Sequence, residues 1–321
     1  MRTIAITKKC TECEKELIMS TVQEQDSVLF FDDEEELKNS KEIEQIDIIF
    51  GEPAIETIRK AKSLRWIQMS WAGVNQYMSI PDFPTTITVT NASGAYGNVI
   101  SEYVVSGLLL LIRQLPTYMN QIRLGGWEKI AGDDTLEGKR ALILGTGNIG
   151  QETAKKLKCF GVYTIGMCRT AKENVKPFDE VYTIDKLDEK LGEADIVIIA
   201  LPGTEKTRNL FDTERIQLMR ESAILVNVGR GFIVDTETLM EALKNKRLRG
   251  AVLDVTNPEP LPEQHPLRKM NNVLITPHIS GITWGENMFT RKRIVEIFCK
   301  NIVHDTNHEI KENVIDFARG Y

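Results

Sequence analysis

Short apolar runs alternate with amphipathic stretches along most of the chain. In roughly the first ninety residues they predict strands at 3–7, 28–31, 47–50, 66–69 and 86–90, with helices at 34–39 and 54–61. After residue 138 they predict strands at 140–144, 163–167, 196–200, 224–227, 251–253 and 273–275. Strands that alternate with helices pair in parallel through right-handed crossovers, so the pattern predicts an α/β fold with open parallel sheets.

A long apolar helix is predicted over residues 99–115, between the two series of strands. Its apolar positions lie nearly all round the helix, which is typical of a helix buried between domains or subunits. The small residues of 91–98 predict a loop or hinge before it, and Pro116 is expected to end it. A final helix, 284–304, is expected to return to the first domain, with residues 314–317 covering its sheet.

The stretch from Ala141 to Gly150 predicts a dinucleotide-binding site. An apolar strand is followed by three glycines at G-x-G-x-x-G spacing. Gly145 permits a tight turn, Gly147 lets a pyrophosphate approach the backbone, and Gly150 lets helix and strand pack closely. The N–H groups at the start of the next helix then favour the negative phosphates. That helix, 151–160, is expected to face the sheet with Ile149, Ala154, Leu157 and Phe160.

Composition and charge narrow the functional class. The net charge is -6 and the basic residues are scattered, which argues against nucleic acid as a main partner. No apolar run reaches the roughly 20 residues that a membrane-spanning helix needs. The first residues enter a strand without a signal-peptide core, so we expect a cytoplasmic enzyme.

Cysteines and histidines give no strong metal signal. The five cysteines are odd in number and form no framework, which fits a reducing compartment. Cys10 and Cys13 form a C-x-x-C that suits a redox pair or half of a zinc site, but no second C-x-x-C completes the latter. We therefore expect two free thiols after the first strand. His304 and His308 lie one helical turn apart without an acidic partner, so we expect an exposed helix end and no metal.

Three polar residues follow the carboxyl ends of strands in the second half: Arg230, Glu259 and His278. Hydride transfer to a 2-oxo acid needs these residue types. The arginine fork polarises a carbonyl and holds a carboxylate, and a histidine supplies a proton near neutral pH. A carboxylate behind the imidazole fixes its tautomer and favours the protonated ring.

With these motifs the chain resembles the D-isomer-specific 2-hydroxyacid dehydrogenase family, closest in pattern to its NADP-preferring glyoxylate/hydroxypyruvate reductase-like members. The resemblance lies in the glycine motif and in the blocks Leu201–Thr204, Asn227–Gly231, Leu253–Val255, Glu259–Pro262 and Pro277–His278. In the first domain it is weaker and lies mainly at Ser70–Asn75.

The resemblance implies two Rossmann-like domains with the active site in the cleft between them. Residues 98–284 would form a doubly wound cofactor domain. Residues 1–97 and 285–321 would form a smaller, discontinuous, flavodoxin-like substrate domain. It also implies a homodimer formed largely by the cofactor domains, with the 99–115 helix involved.

The resemblance also implies roles for individual residues. Arg230 would bind and polarise the substrate, His278 would be the acid/base, and Glu259 would pair with His278. The backbone at Ala72, Gly73 and Val74 would hold the substrate carboxylate. Asp254 would bind the carboxamide side of the nicotinamide. The complete set of expected cofactor-binding residues is Gly145, Thr146, Gly147, Asn148, Ile149, Gly150, Cys168, Arg169, Thr170, Leu201, Pro202, Thr207, Val228, Asp254, His278 and Gly281.

Two positions depart from the family pattern. Thr256 stands where many relatives carry an aromatic residue, which changes the shape of one side of the pocket. Tyr96 stands where several relatives carry a polar amide near the substrate. A tyrosine there either binds substrate or packs, and packing is favoured.

The end of the second strand of the cofactor domain favours NADP(H), with NAD(H) also possible. Cys168 occupies the place of the acidic residue that usually accepts hydrogen bonds from the ribose of NAD. Arg169, Thr170 and Lys172 would instead attract a 2′-phosphate. Because the NADP pool is usually kept reduced, the expected direction is from a 2-oxo acid to the (R)-2-hydroxy acid.

Two other functions remain open from the sequence. One is an NAD-dependent dehydrogenase of the phosphoglycerate type, although 71–78 offers no basic cluster for a phosphate. The other is a nucleotide-sensing binding protein like the corepressors that share this fold. The sequence also does not decide whether the substrate is glyoxylate, hydroxypyruvate, pyruvate or a larger 2-oxo acid. Its side-chain pocket has four candidate residues that suit the core equally well: Trp71, Met78, Tyr96 and Trp284.

Overall fold

The structure is a computed structural model that describes residues 1–132, 134–170, 175–281 and 288–319. The chain divides into two compact units, Met1–Tyr96 with Thr283–Tyr321, and Gly97–Ile282. The division expected from the sequence, 1–97 with 285–321 and 98–284, lies within two residues of these bounds. Trp284 and Lys172 lie outside the described residues.

The strands of the described chain are β1 (Thr3–Ile6), β2 (Ser27–Phe30), β3 (Ile48–Phe50), β4 (Trp66–Gln68), β5 (Thr88–Thr90), β6 (Arg140–Leu144), β7 (Tyr163–Cys168), β8 (Glu180–Thr183), β9 (Ile196–Ile199), β10 (Ile224–Asn227), β11 (Gly250–Leu253) and β12 (Val273–Ile275). The helices are α1 (Glu12–Met19), α2 (Glu34–Lys38), α3 (Ile55–Lys60), α4 (Asn75–Met78), α5 (Gly97–Ile112), α6 (Leu115–Arg123), α7 (Asn148–Cys159), α8 (Leu187–Leu191), α9 (Thr213–Leu218), α10 (Thr236–Lys244) and α11 (Met288–Thr306).

The first unit is built on a parallel sheet of order β2-β1-β3-β4-β5. This is the flavodoxin-like order, whose direction reverses between β1 and β3. The strands predicted here are confirmed to within two residues at each end. Helix α1 was not predicted, although its capping box joins Thr11 and Glu14. Cys10 precedes this helix and Cys13 lies in its first turn, and both are free thiols.

The C-terminal residues pack on the sheet of this first unit. The ring of Phe298 on α11 stacks on Phe50 with centroids 4.5 Å apart. The Ile315 N–H donates to the Val89 carbonyl at 2.8 Å, and the Ile315 side chain is buried in the same hydrophobic cluster as Val89. The return of the chain to the first unit is therefore confirmed, and the part of the predicted helix at 284–287 lies outside the described residues.

The second unit contains a parallel sheet of order β12-β11-β10-β9-β6-β7-β8. The order reverses between β6 and β9, so the glycine motif after β6 lies at the switch point where doubly wound sheets bind ligands. The expected fold class is confirmed. Strand β8 was not predicted because all four of its residues are partly exposed and give no apolar run.

The prediction that Pro116 ends one long helix is wrong. Helix α5 ends at Ile112, and Gln114 takes a left-handed conformation with φ of 53°. Pro116 lies in the first turn of α6, where the N–H that proline lacks would have no helical partner. Among the described residues no single helix is long and apolar enough to cross a membrane, though α5 and α6, bent by 62°, pass that test as a pair by length and composition.

Candidate active site

The turn after β6 has the geometry that a bound dinucleotide requires. Gly145 has φ of 107°, and a Cβ there would lie 2.5 Å from the Ala200 carbonyl oxygen. A Cβ on Gly150 would lie 1.9 Å from the Gly145 carbonyl oxygen. Only glycine fits either position. A Cβ on Gly147 would have nothing within 4 Å, so this side of the turn is open to a ligand.

Helix α7 presents its first amides at this turn. Its N-cap residue Gly147 has no side chain to accept from them, so the helix start suits the pyrophosphate of a dinucleotide. Thr146 is buried and its carbonyl accepts from Gln151 at 2.9 Å. The Asn148 side chain instead accepts from the Gly97 N–H at 2.8 Å and fixes the start of α5.

The face of α7 that packs on the sheet differs in part from the expectation. Ala154 and Leu157 are buried as predicted, and Ile149 is half-buried. Phe160 was expected to face the sheet but is 41% exposed, because α7 ends one residue before it. Thr153 is buried instead, with its hydroxyl donating to the Ile149 carbonyl at 2.8 Å.

The residues expected beside the ribose lie at the carboxyl end of β7. Cys168 is half-buried and its thiol donates to the Thr170 carbonyl at 3.1 Å. Arg169 and Thr170 are exposed. This arrangement leaves cationic and hydroxyl groups, and no carboxylate, on the last residue of β7 and the two residues after it.

The loops after β9 and β10 hold the next group of expected cofactor residues. The Thr207 hydroxyl accepts from the Thr204 N–H at 2.9 Å and reaches the Pro202 carbonyl at 3.0 Å, which closes the loop that follows Leu201. Val228 is buried directly after β10.

Arg230 is positioned by its own backbone turn. The Asn227 side chain donates to the Arg230 carbonyl at 2.9 Å and accepts from the Gly229 N–H at 3.0 Å. Burial lowers the pKa of the Arg230 guanidinium, and the nearby Glu259 carboxylate opposes this shift. The glycines on either side of Arg230 pack against neighbouring loops. A Cβ on Gly229 would lie 2.7 Å from the Leu201 carbonyl oxygen, and one on Gly231 would lie 1.8 Å from the Thr256 carbonyl oxygen.

His278 and Glu259 form a hydrogen-bonded pair. The imidazole Nδ1 lies 2.7 Å from Glu259 Oε1, and the two side chains are 49% and 42% exposed. The structure therefore pairs two of the three residues expected to carry the chemistry, and the third, Arg230, follows the neighbouring strand β10. The Nε2 side of the imidazole is then the one available to a substrate.

Asp254 lies beneath the loop that carries His278. Its side chain is buried, and its carboxylate accepts from Thr276, Ile279 and Ser280. These contacts give Asp254 a structural task within the protein. Its contact with the nicotinamide stays a prediction. The last expected cofactor residue, Gly281, lies in a turn at the end of this loop.

The expected substrate-binding backbone lies in the first unit, after β4. Ala72 and Gly73 are half-buried, Val74 is buried, and the Ala72 carbonyl accepts from Asn91 at 2.7 Å. Tyr96 is buried and its hydroxyl donates to the Ser70 carbonyl at 2.6 Å. This internal hydrogen bond favours packing over a contact with substrate.

Lys8 lies at the carboxyl edge of the first sheet and was not predicted as a site residue. It follows β1, forms an ion pair with Glu52, and lies 5.8 Å from the ring centroid of Trp71. Glu52 also accepts from Ser70, through the N–H at 2.6 Å and the hydroxyl at 2.9 Å. Trp71 is 49% exposed, whereas Met78 packs against the core of this unit. The position of Lys8 directly after the first predicted strand was the signal in the sequence that could have identified this residue.

Comparison with known proteins identifies the family. The model of the D-isomer specific 2-hydroxyacid dehydrogenase, NAD binding domain, matches residues 105–280, more than half of the chain. The chain belongs to the D-isomer specific 2-hydroxyacid dehydrogenase family. The family expected from the sequence is therefore confirmed, and the protein is an NAD(P)-dependent oxidoreductase.

Individual relatives agree with this family. Glyoxylate reductase from Thermofilum pendens is 36% identical over 259 residues, which cover 77% of this chain and 74% of that protein. A family member from Aeromonas salmonicida has a similar crystal structure, with a TM-score of 0.86, 33% identity, and coverage of 98% of this chain and 99% of that one. A second, from Xanthobacter autotrophicus Py2 in complex with NADPH and MES, has a TM-score of 0.84, 25% identity, and coverage of 100% and 99%.

Within the described residues, no group of three or more His, Cys, Asp or Glu side chains could hold a metal ion. His304 lies at the end of α11, 3.8 Å from Glu309, and His308 is exposed. The second unit offers an arginine, an imidazole and a carboxylate at the same carboxyl edge of its sheet as the glycine turn. These groups suit proton and hydride chemistry at a carbonyl.

Proposed function

We propose that the protein reduces a small 2-oxo acid to the (R)-2-hydroxy acid with NADPH. The observation that carries the proposal is the His278–Glu259 pair, with Nδ1 and Oε1 2.7 Å apart, on the loops that follow β11 and β12. Arg230 follows β10, the neighbouring strand, and is electrostatically coupled to Glu259. Ligands of doubly wound sheets bind at these carboxyl ends.

Arg230 is the group that binds and polarises the substrate. A guanidinium offers paired N–H donors that match a carboxylate and an adjacent carbonyl oxygen. Its partial burial makes this interaction stronger than it would be in open water. As the carbonyl is reduced, negative charge grows on its oxygen, and the fixed cation lowers the energy of that state.

His278 is the proton donor. Glu259 holds Nδ1, so that Nε2 of the protonated ring is directed toward the developing alkoxide. Bound NADPH would supply the hydride that reduces the carbonyl carbon. The glycine turn at 145–150 and the amides of α7 would hold its pyrophosphate.

The preference for NADPH rests on the end of β7. Arg169 can form two charge-assisted hydrogen bonds to a 2′-phosphate, and Thr170 can add one. Cys168, in the position of the usual acid, removes the carboxylate that would repel this phosphate. The relative from Xanthobacter autotrophicus Py2 binds NADPH, which supports the same choice here.

The backbone at Ala72, Gly73 and Val74 would hold the substrate carboxylate, and Lys8 with Trp71 would contact the rest of the substrate. Lys8 and Trp71 lie at the carboxyl ends of β1 and β4 in the first unit. Their ammonium and indole groups provide a polar and an apolar surface at one place. We therefore expect this edge to determine which 2-oxo acid is accepted.

We also propose a homodimer formed by the second unit. Helix α6 exposes Leu115, Met119 and Ile122 on one face, and the segment after it exposes Leu124 at 80% and Trp127 at 86%. Apolar side chains exposed together in this way mark an interaction surface. A second copy is the partner expected from the family. Sedimentation of the wild type and of Trp127→Ser should give a dimer and a monomer, respectively, and a wild-type monomer would contradict the proposal.

The function is tested by following NADPH oxidation by absorbance with a panel of 2-oxo acids. The panel is glyoxylate, hydroxypyruvate, pyruvate and a larger branched acid, each with NADPH and with NADH. The proposal predicts turnover of at least one small acid with a higher kcat/KM for NADPH. A clear preference for NADH would contradict the cofactor assignment, and the absence of turnover with every acid would contradict the reductase assignment.

A further inference from the structure

We propose that Tyr103 and Thr276 are positioning residues, which act through Asp254 to hold His278 in its reactive conformation. The proposal rests on the proposed function, because it concerns the residue assigned there as proton donor. All of the groups involved lie in the second unit.

The backbone of His278 needs external support. Its φ is 56°, a left-handed conformation that residues with a Cβ adopt infrequently. Such a conformation persists when surrounding contacts over-determine it, and it recurs at functional sites. The side chain of His278 is also 49% exposed, so packing alone does not fix the direction of the imidazole.

Asp254 supplies most of this support. The His278 N–H donates to the Asp254 carbonyl at 2.9 Å. One carboxylate oxygen accepts from the Ile279 N–H at 2.8 Å, and the other accepts from the Ser280 N–H at 3.0 Å and from its hydroxyl. The two residues after His278 are therefore tied to one buried carboxylate at the end of β11.

Thr276 and Tyr103 complete the hydrogen bonding of that carboxylate. The Thr276 hydroxyl donates to Asp254 Oδ1 at 2.7 Å, and the Tyr103 and Thr276 hydroxyl oxygens are 2.6 Å apart. A hydroxyl has one proton to donate. Since Thr276 gives its proton to Asp254, Tyr103 must be the donor in the second bond, and the chain of donors runs from Tyr103 to Thr276 to Asp254.

The tyrosine is well suited to remain a donor. Burial raises the pKa of Tyr103 to about 12, with a further contribution from the Asp254 charge and an opposing one from the bond to Thr276. It therefore keeps its proton at neutral pH. Its helix, α5, packs against α7, β11 and β12 in the same unit, so the relay starts from a rigid element.

The kinetic test compares three variants of the relay in the full-length protein. Thr276→Val removes the donor to Asp254 and should lower kcat by about tenfold, with KM for the 2-oxo acid changed by less than about twofold. Thr276→Ser keeps the hydroxyl and should restore kcat to within about twofold of wild type. Tyr103→Phe removes only the outer donor and should lower kcat by about threefold.

Tyr163→Phe is the matched control. Tyr163 lies at the amino end of β7, where its hydroxyl donates to Glu180 at 2.6 Å, outside the relay. It should leave kcat and KM unchanged. Equal losses of kcat in Thr276→Val and Thr276→Ser would overturn the proposal, as would a Thr276→Val enzyme with wild-type kcat.

A second readout needs no turnover. Hydrogen exchange of the Ile279 and Ser280 amides in the free protein should be faster in Thr276→Val than in wild type, and unchanged in Thr276→Ser and Tyr163→Phe. Unaltered exchange in Thr276→Val would overturn the relay even if the enzyme is inactive. Faster exchange in a protein that reduces no 2-oxo acid would support the relay and contradict the reductase assignment.

Discussion

The carboxyl edges of the two sheets are built differently. In the second unit the edge consists of tightly fitted turns, where Gly145, Gly150 and Gly231 leave no room for a side chain. In the first unit it carries an exposed tryptophan and an ion pair, with Lys8 over Trp71. The first kind of edge fixes the positions of a few reacting groups. The second kind presents Trp71, a half-exposed side chain that a core does not enclose, so this position suits the choice of substrate.

Loss of the proton donor should have the largest effect. His278→Ala should lower kcat by a factor on the order of 10²–10⁴, the usual contribution of a positioned acid or base. His308→Asn, an exposed histidine of the first unit, is the control and should leave kcat unchanged. Near-normal turnover of His278→Ala would exclude His278 as the proton donor.

Arg169→Ala should change the cofactor preference next most strongly. Losing charge-assisted hydrogen bonds to a 2′-phosphate should lower the ratio of kcat/KM for NADPH over NADH by about 10- to 100-fold. Arg59→Ala, an exposed arginine on α3, should leave the ratio unchanged. An unchanged ratio in Arg169→Ala would mean that this residue does not recognise the phosphate.

Glu259→Gln should lower kcat rather than abolish activity. A neutral amide loses the charge-assisted hydrogen bond to Nδ1 and holds the imidazole less firmly. Because both side chains are more than a third exposed, we expect kcat to fall by only about three- to tenfold, with KM for the 2-oxo acid little changed. A wild-type kcat would exclude Glu259 from the assigned role.

A change at the edge of the first unit should have the smallest effect on rate and a visible effect on selectivity. Lys8→Met combined with Glu52→Gln keeps the local charge balance. It should shift kcat/KM toward a branched 2-oxo acid over hydroxypyruvate by about three- to tenfold. Lys9→Met, at the exposed neighbouring lysine, should leave the ratio as it is. An equal loss of kcat/KM for all substrates would instead mean that Lys8 and Glu52 do not discriminate between substrates.

The difference between the edges also explains what could be predicted from the sequence. Glycines that cannot be replaced and apolar buried strands leave strong local patterns, so the 141–150 motif, the strand series and the pairing of Glu259 with His278 were predictable. Strand β8 could not be predicted because its residues are partly exposed and form no apolar run. The role of Pro116 was predicted wrongly because a proline is equally compatible with the end of one helix and the start of the next.

Contacts between residues that are far apart in the sequence could not be predicted, for a different reason. Lys8 meets Trp71 only because the first sheet brings the ends of its strands together, and Tyr103 meets Thr276 across 173 positions only because α5 packs against β12. No local pattern in the sequence records such a meeting. The roles of these residues could be inferred only after the strand order and the hydrogen bonds were known.

Single-turnover hydride transfer in Arg230→Gln is the most direct test of the central claim, that the edge of the second unit carries the chemistry. Enzyme preloaded with NADPH is mixed with the best 2-oxo acid, and the loss of nicotinamide absorbance is followed. We predict that Arg230→Gln retains NADPH with wild-type affinity and transfers hydride about 10²–10³ times more slowly, as expected for loss of the charge that stabilises the alkoxide. Hydride transfer at the wild-type rate would contradict the account.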